Sequence, residues 1–192
     1  MIDDFEIKWN LPVVPRVSLA GIPIGATSQS FKKVISKYCI SNCDNLYKFD
    51  NSPTLRLEVK KYALDIEYFC FYETNDNFLN SNFEASLDGN FGVEDRAIVV
   101  FVKDGIISSI GVWLFGFYDS EKNINGKFYQ GKLPNNVMLG DRVDSMSSLN
   151  LEYDAAEEWF CMSGSYSGVI ISGAPGDLGD FPDQRILSIR IS

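Results

Sequence analysis

Asp104-Gly105, set between two runs rich in β-branched and aromatic residues, constrains this chain more than any other feature. In AIVVFVK-DG-IISSIGVWL (Ala97 to Leu114) the pair supplies the two positive φ angles that a type I′ turn requires, so the run predicts a tight antiparallel hairpin. LRLEV (Leu55 to Val59) and ALDIEYFCFY (Ala63 to Tyr72) alternate apolar and polar residues upstream of it. Period-two alternation then puts Leu64, Ile66, Tyr68, Cys70 and Tyr72 on the buried face of a strand, and Asp65 and Glu67 together on a solvated one. EEWFCM (Glu157 to Met162), GVIIS (Gly168 to Ser172) and RILSIRI (Arg185 to Ile191) predict a closing antiparallel meander, the last two joined by the loop GAPGDLGDFPD.

Helical signals are few. TSQSFKKVISKYCI offers Thr27 or Ser28 as an N-cap and Phe31, Val34, Ile35 and Tyr38 at helical spacing, fading at Ser41-Asn42. In DRVDSMSSLNL, Val143, Met146 and Leu149 recur every third residue, and three serines limit that helix to one or two turns. Each helix has the same introduction: Ile22-Pro23-Ile24-Gly25 before the first and Val137-Met138-Leu139-Gly140 before the second. The shared order points to two copies of a module built as strand, glycine, helix and sheet, the second copy shortened. Residues 1–117 form the first module on this reading and 137–192 the second, with 118–136 (Gly, Asn and Pro-rich) as an exposed connector; packing of the two as one domain is the alternative. The expected fold class is α+β, mainly antiparallel sheet with two short helices.

The absence of histidine excludes a Ser-His-Asp triad, a Cys-His dyad and every His-ligated metal site. Cys39, Cys43, Cys70 and Cys161 lack paired C-x-x-C spacing, Cys39 and Cys43 falling four apart on the expected first helix, and all four read as free thiols of a reducing cytoplasm. The opening MIDDFEIKWN is too acidic and polar for a secretory signal, and no apolar run reaches the length of a membrane helix. The expectation is therefore a cytoplasmic protein without a membrane partner. EKNING (Glu121 to Gly126) imitates the start of a calcium loop, but Lys132 stands where a bidentate glutamate is required, so a plain Asn-Gly turn is the better reading. The glycines around SYSGVIIS precede no helix that would offer amides to a phosphate. No metal, cofactor or catalytic residue is assigned.

Charge is the feature that survives. Of a formal net charge of −9, nearly all resides between Val143 and Gln184, where eight acids (Asp144, Glu152, Asp154, Glu157, Glu158, Asp177, Asp180 and Asp183) meet no Lys or Arg. A negative protein is a poor partner for nucleic acid. Solubility does not demand such segregation, since interspersed signs serve it as well. Trp159 and Tyr166 lie in the same stretch, beside Tyr153 and Phe160. Aromatic anchors bordered by carboxylates compose a docking surface for a basic protein, with charge accelerating encounter and rings holding the complex. Trp159 and Phe160 are strand neighbours, so one of them must face the core.

GIPIGATSQSFKKVI, the strand-rich body with DGIISSIGVW, and the second step VMLGDRVDSM together resemble small immunity proteins of bacterial polymorphic and contact-dependent growth-inhibition toxin systems. The likeness covers most of the chain as an order of elements. It implies a non-enzymatic cytoplasmic protein that binds one cognate toxin domain; no binding residue carries over from it. The sequence expectation is thus a stoichiometric inhibitor whose acidic second module occludes the Lys and Arg a toxin domain uses on nucleic acid. Its alternatives are an adaptor or structural binding protein and a small enzyme using Glu157 with Glu158, Asp65 with Glu67, or Cys161.

Overall fold

The structure is a computed structural model that describes residues 4–74, 96–114 and 128–192. The protein is α+β. A short hairpin of β1 (Ser18–Leu19) and β2 (Ile22–Pro23) precedes α1 (Ser28–Ser36), after which come β3 (Cys39–Ser41), β4 (Leu46–Tyr47), β5 (Leu55–Lys61), β6 (Ile66–Glu73), β7 (Arg96–Lys103) and β8 (Ile106–Trp113). A 3-10 helix at Val143–Leu149 leads into β9 (Leu151–Asp154) and β10 (Trp159–Met162). After a 3-10 turn at Gly164–Tyr166 come β11 (Val169–Ser172) and β12 (Ser188–Ile191). Ten of the strands form one antiparallel sheet in the order β3-β4-β5-β6-β7-β8-β12-β11-β10-β9. The predicted hairpin is β7–β8, with Asp104 at φ 52° and Gly105 at φ 74° forming the expected turn. The predicted closing meander is β10 to β12, and β9, not expected from the sequence, pairs with β10 at its edge.

Thr27 caps α1, its hydroxyl accepting the Ser30 N–H at 3.0 Å, and Phe31, Val34 and Ile35 bury one face of the helix. The helix stops at Ser36, earlier than its periodicity suggests, because Cys39–Ser41 pairs with β4 and the Tyr38 carbonyl accepts the Lys48 N–H. Cys39 and Cys43 therefore lie in an edge strand and the turn after it, not on a helix. The second helix is 3-10, which explains its three-residue repeat: with three residues per turn, Val143 and Met146 are both buried and Leu149 packs against the same core.

The two helix introductions are built alike. Gly25 and Gly140 take φ of 84° and 86°, a region closed to most side chains. The Gly25 N–H bonds the Ile107 carbonyl, the Ile107 N–H returns to Ala26, and the Ser28 N–H reaches Gly105. At the second introduction the Gly140 N–H bonds Ile186, Ile186 returns to Asp141, and Val143 reaches Gln184. The shift that carries Ile107 onto Ile186 also carries Ile110 onto Ile189 and Val112 onto Ile191. The observed pairs Ile110–Ile191 and Val112–Ile189 map into each other under it. A local two-fold thus runs through the β8–β12 pairing, with Gly111 opposite Arg190 on the axis.

Because β8 pairs directly with β12, the sheet continues across residues of both halves, and one hydrophobic cluster draws on both. Its lid is α1, the N-terminal segment and residues 128–139. Trp9 packs on Phe49 (6.5 Å) and edge-on to Tyr129 (5.8 Å), while main-chain bonds join Trp9 to Asp50 and Gln130, and Val13 to Lys132. This corrects the expectation of an exposed connector: Phe128, Tyr129 and Leu133 are buried, since apolar residues within a polar stretch were available to cover the sheet. Residues 118–127 of that connector, and most of the EKNING loop, lie outside the described residues. Among the described residues no helix is long and apolar enough to cross a membrane.

Candidate functional site

Four of the eight acids lie in two loops. The β9–β10 turn carries Asp154, whose Oδ1 accepts the N–H groups of Ala156 and Glu157, and Glu158, at φ 56°. In the loop before β12, Asp177 accepts the N–H groups of Gly179 and Asp180. Burial first, then the negative charges of Glu158, Asp177, Asp180 and Asp154, push the Tyr153 phenol above the ordinary tyrosine value. Asp144 and Asp183 stand apart, both bonded to Arg142, which lies one residue before the acidic run and offsets part of their charge. The Arg142 hydrogen bond holds the Asp144 carboxyl below its usual range. Glu152 is exposed on the edge strand β9, and Glu157 and Glu158 are exposed at the hairpin turn. Phe160 is the strand neighbour that enters the core, its ring tilted against Tyr153 with centroids 5.0 Å apart. Trp159 faces the other way, half-buried beneath the Arg190 guanidinium at 4.4 Å. Tyr166 is half-buried against the core and contributes packing there.

Asp65 and Glu67 line one open cleft beside α1, but only Asp65 is exposed, and the face is not a solvated one. Glu67 follows the parity of Phe69 and Phe71, which are the core residues of β6, so the facing inferred from alternation is inverted. The cause is that β6 is apolar on both faces, and the larger rings won the core. The Glu67 side chain is only 17% exposed and is bonded to Ser28 Oγ (3.0 Å), Lys32 Nζ (3.0 Å) and Lys61 Nζ (3.2 Å). The Lys32 hydrogen bond, helped by Ser28 and Lys61 against the opposing effect of burial, sets its carboxyl below the ordinary glutamate value. A depressed folded value stabilises the protein fully above the unfolded value of about 4.3 and loses that contribution as pH falls through the folded one. Glu67→Gln should accordingly lower stability by roughly 1 kcal/mol at pH 7 and by little in acid. Urea midpoints at pH 7 and pH 3 check this, and an equal gap at both would refute it.

The sheet face opposite the core carries the site that alternation missed. There Tyr72, Cys70 and Tyr68 of β6 lie beside Val99 and Phe101 of β7 and Trp113 of β8, around a cavity of about 750 Å³. Three cations line it. Arg96 lies 4.9 Å above the Trp113 ring, Lys60 Nζ donates to the Tyr72 hydroxyl at 3.0 Å, and Arg190 reaches in from β12. Tyr68 packs on Phe101 at 4.7 Å, and Tyr62 packs on Tyr68 at 5.1 Å. Gly111 forms part of the floor because a Cβ there would meet the Trp113 ring at 2.6 Å. Among the described residues no carboxylate lines the cavity, and Glu58 pairs with Lys60 at 3.5 Å. The Tyr72 hydrogen bond raises the Lys60 ammonium above its ordinary value, so it stays charged, whereas burial pushes the Cys70 thiol up and keeps it neutral. The sequence signal was YFCFY: aromatic side chains on both parities of one strand mean that both faces have a use.

All four cysteines are free. Among the described residues no group of three or more Cys, Asp or Glu is placed to hold a metal ion. Comparison of the chain with protein-family models, with curated proteins and with solved structures yields no match.

Proposed function

We propose that this protein is a non-enzymatic cytoplasmic inhibitor of the immunity type, which binds a basic toxin domain through the acidic end of its sheet. The observation that supports this reading is the segregation of charge: eight acids and no Lys or Arg lie between Val143 and Gln184, and Glu152, Asp154, Glu157, Glu158, Asp177 and Asp180 are all exposed. Exposed charge of one sign attracts a cationic partner over distance. Exposed Glu157 extends the same surface at the hairpin tip, where approach is unhindered. Lys and Arg of the toxin would pair with these carboxylates, leaving them unavailable to the toxin's own substrate.

Co-purification with the product of the adjacent reading frame identifies the partner. Glu157→Lys with Glu158→Lys should then slow association by about tenfold or more at low salt and flatten its salt dependence. Both side chains are exposed, so the melting temperature should hold. Wild-type binding and protection by the folded double variant would remove this surface from the interface.

A further inference from the structure

The sheet face opposite the core is distinct from the acidic end and, among the described residues that line its cavity, carries the opposite charge. We propose that its cavity is a binding site for a nucleoside monophosphate, a small ligand that joins a planar ring to an anionic group. Three features of the cavity select that chemistry. First, Lys60, Arg96 and Arg190 line it, Lys60 also pairing with Glu58 at 3.5 Å, and no carboxylate lines it among the described residues of a protein whose net charge is −9. Local positive charge on a negative chain favours a compact anion, while the negative remainder opposes a long polyanion. Second, the walls are rings: Trp113, Tyr72 and the packed pair Tyr68–Phe101 present flat surfaces on which a base stacks, and base–aromatic stacking tolerates any base. Third, the floor is small and polar. Gly111 and Ser109 leave room for a ring to lie against the sheet, and the buried Ser108 Oγ makes no hydrogen bond within the described residues. A hydroxyl in that position is costly unless a ligand or solvent engages it.

The volume agrees, since about 750 Å³ falls within the usual range of small-molecule pockets, roughly 300–1,000 Å³. Arg190 already lies over Trp159, and Arg96 over Trp113. Guanidinium groups held flat on indoles lose less freedom when they take up a phosphate, and their planar forks suit its oxygens.

The three tryptophans provide an internal control. Trp113 and Trp159 lie on this face, whereas Trp9 is buried on the other. Titration of the full chain with AMP, GMP, CMP and UMP, followed by the indole N–H resonances in NMR, should move the Trp113 and Trp159 signals and leave Trp9 in place. AMP should bind more tightly than adenosine or inorganic phosphate. Lys60→Met and Arg190→Gln should each weaken AMP binding about tenfold, as expected for removal of one charge-assisted hydrogen bond. Circular dichroism monitors their fold, and the wild-type resonance map decides the matter if either variant is unstable. The proposal is overturned by unmoved Trp113 and Trp159 signals with all four nucleotides at about 10 mM, where a Kd of 1 mM would nearly saturate. It is equally overturned if adenosine or phosphate alone binds as well as AMP, or if a single-stranded oligonucleotide binds more tightly than the mononucleotides.

Discussion

Ile189→Asp is expected to abolish the cooperative thermal unfolding of this protein. Ile189 is fully buried and lies in β12 between Val112 of β8 and Ile171 of β11, at the seam where the two halves of the sheet join. An aspartate there either buries an unpaired carboxylate or pulls β12 out of the sheet, and both outcomes cost several kcal/mol. That is a large part of the roughly 5–15 kcal/mol by which domains are stable. Ile189→Ala should cost about 2–5 kcal/mol and leave a lower but still cooperative transition. Ile170→Asp, one strand away on the opposite face and only half-buried, should be far milder. Thermal melts by circular dichroism separate the three. A melting temperature for Ile189→Asp close to that of the wild type would show that the β8–β12 seam does not hold the fold together.

Trp9→Ala should be nearly as damaging, at about 3–5 kcal/mol. Trp9 has no exposed surface, and its ring fills the space between Phe49 and Tyr129. Beside it the buried Tyr129 hydroxyl donates to the Leu11 carbonyl and accepts the Ala20 N–H, so collapse of the Trp9 site disturbs both bonds. Burial has already raised the Tyr129 phenol well above its ordinary value, which keeps it a donor at any physiological pH. For a chain of this length the loss translates to about 10 °C or more in melting temperature. Trp9→Phe should recover part of it. Equal losses for Phe and Ala at this position would mean that ring packing is not what the N-terminal segment contributes.

Local signals were legible in the sequence, whereas partnerships between distant segments were not. Asp104-Gly105 specified its hairpin because two positive φ angles have few other uses, and Thr27 specified the start of α1 because its hydroxyl satisfies an orphan N–H. The three-residue spacing of Val143, Met146 and Leu149 even encoded the helix type, although it was expected only as a short helix. The glycine introductions were visible as a pattern, but the β8–β12 pairing they frame was not, because nothing in either strand names a partner so far along the chain. The facing of β6 failed for a different reason: hydrophobic alternation assumes one wet face, and a strand apolar on both sides gives no parity. The same ambiguity concealed the cationic cavity. As for the acids, charge segregation located the region, but only the fold distinguishes Asp144 and Asp183, which share Arg142, from Asp154 and Asp177, whose carboxylates accept main-chain N–H groups of their own turns.

The pairing of Gly111 with Arg190 on the two-fold axis separates this chain from any dimer of identical halves. A self-associating half must place the same residue on both sides of its axis. Two arginines there would repel each other, and one of them would strike the Trp113 ring; two glycines would leave the sheet without a central cation. A single chain escapes that choice. Joining the halves covalently also makes their association independent of dilution, and each copy can then change without its change being imposed on the other. Symmetry supplies the frame, and the one place where symmetry is broken at its own axis is where a charge comes to stand over the middle of the sheet.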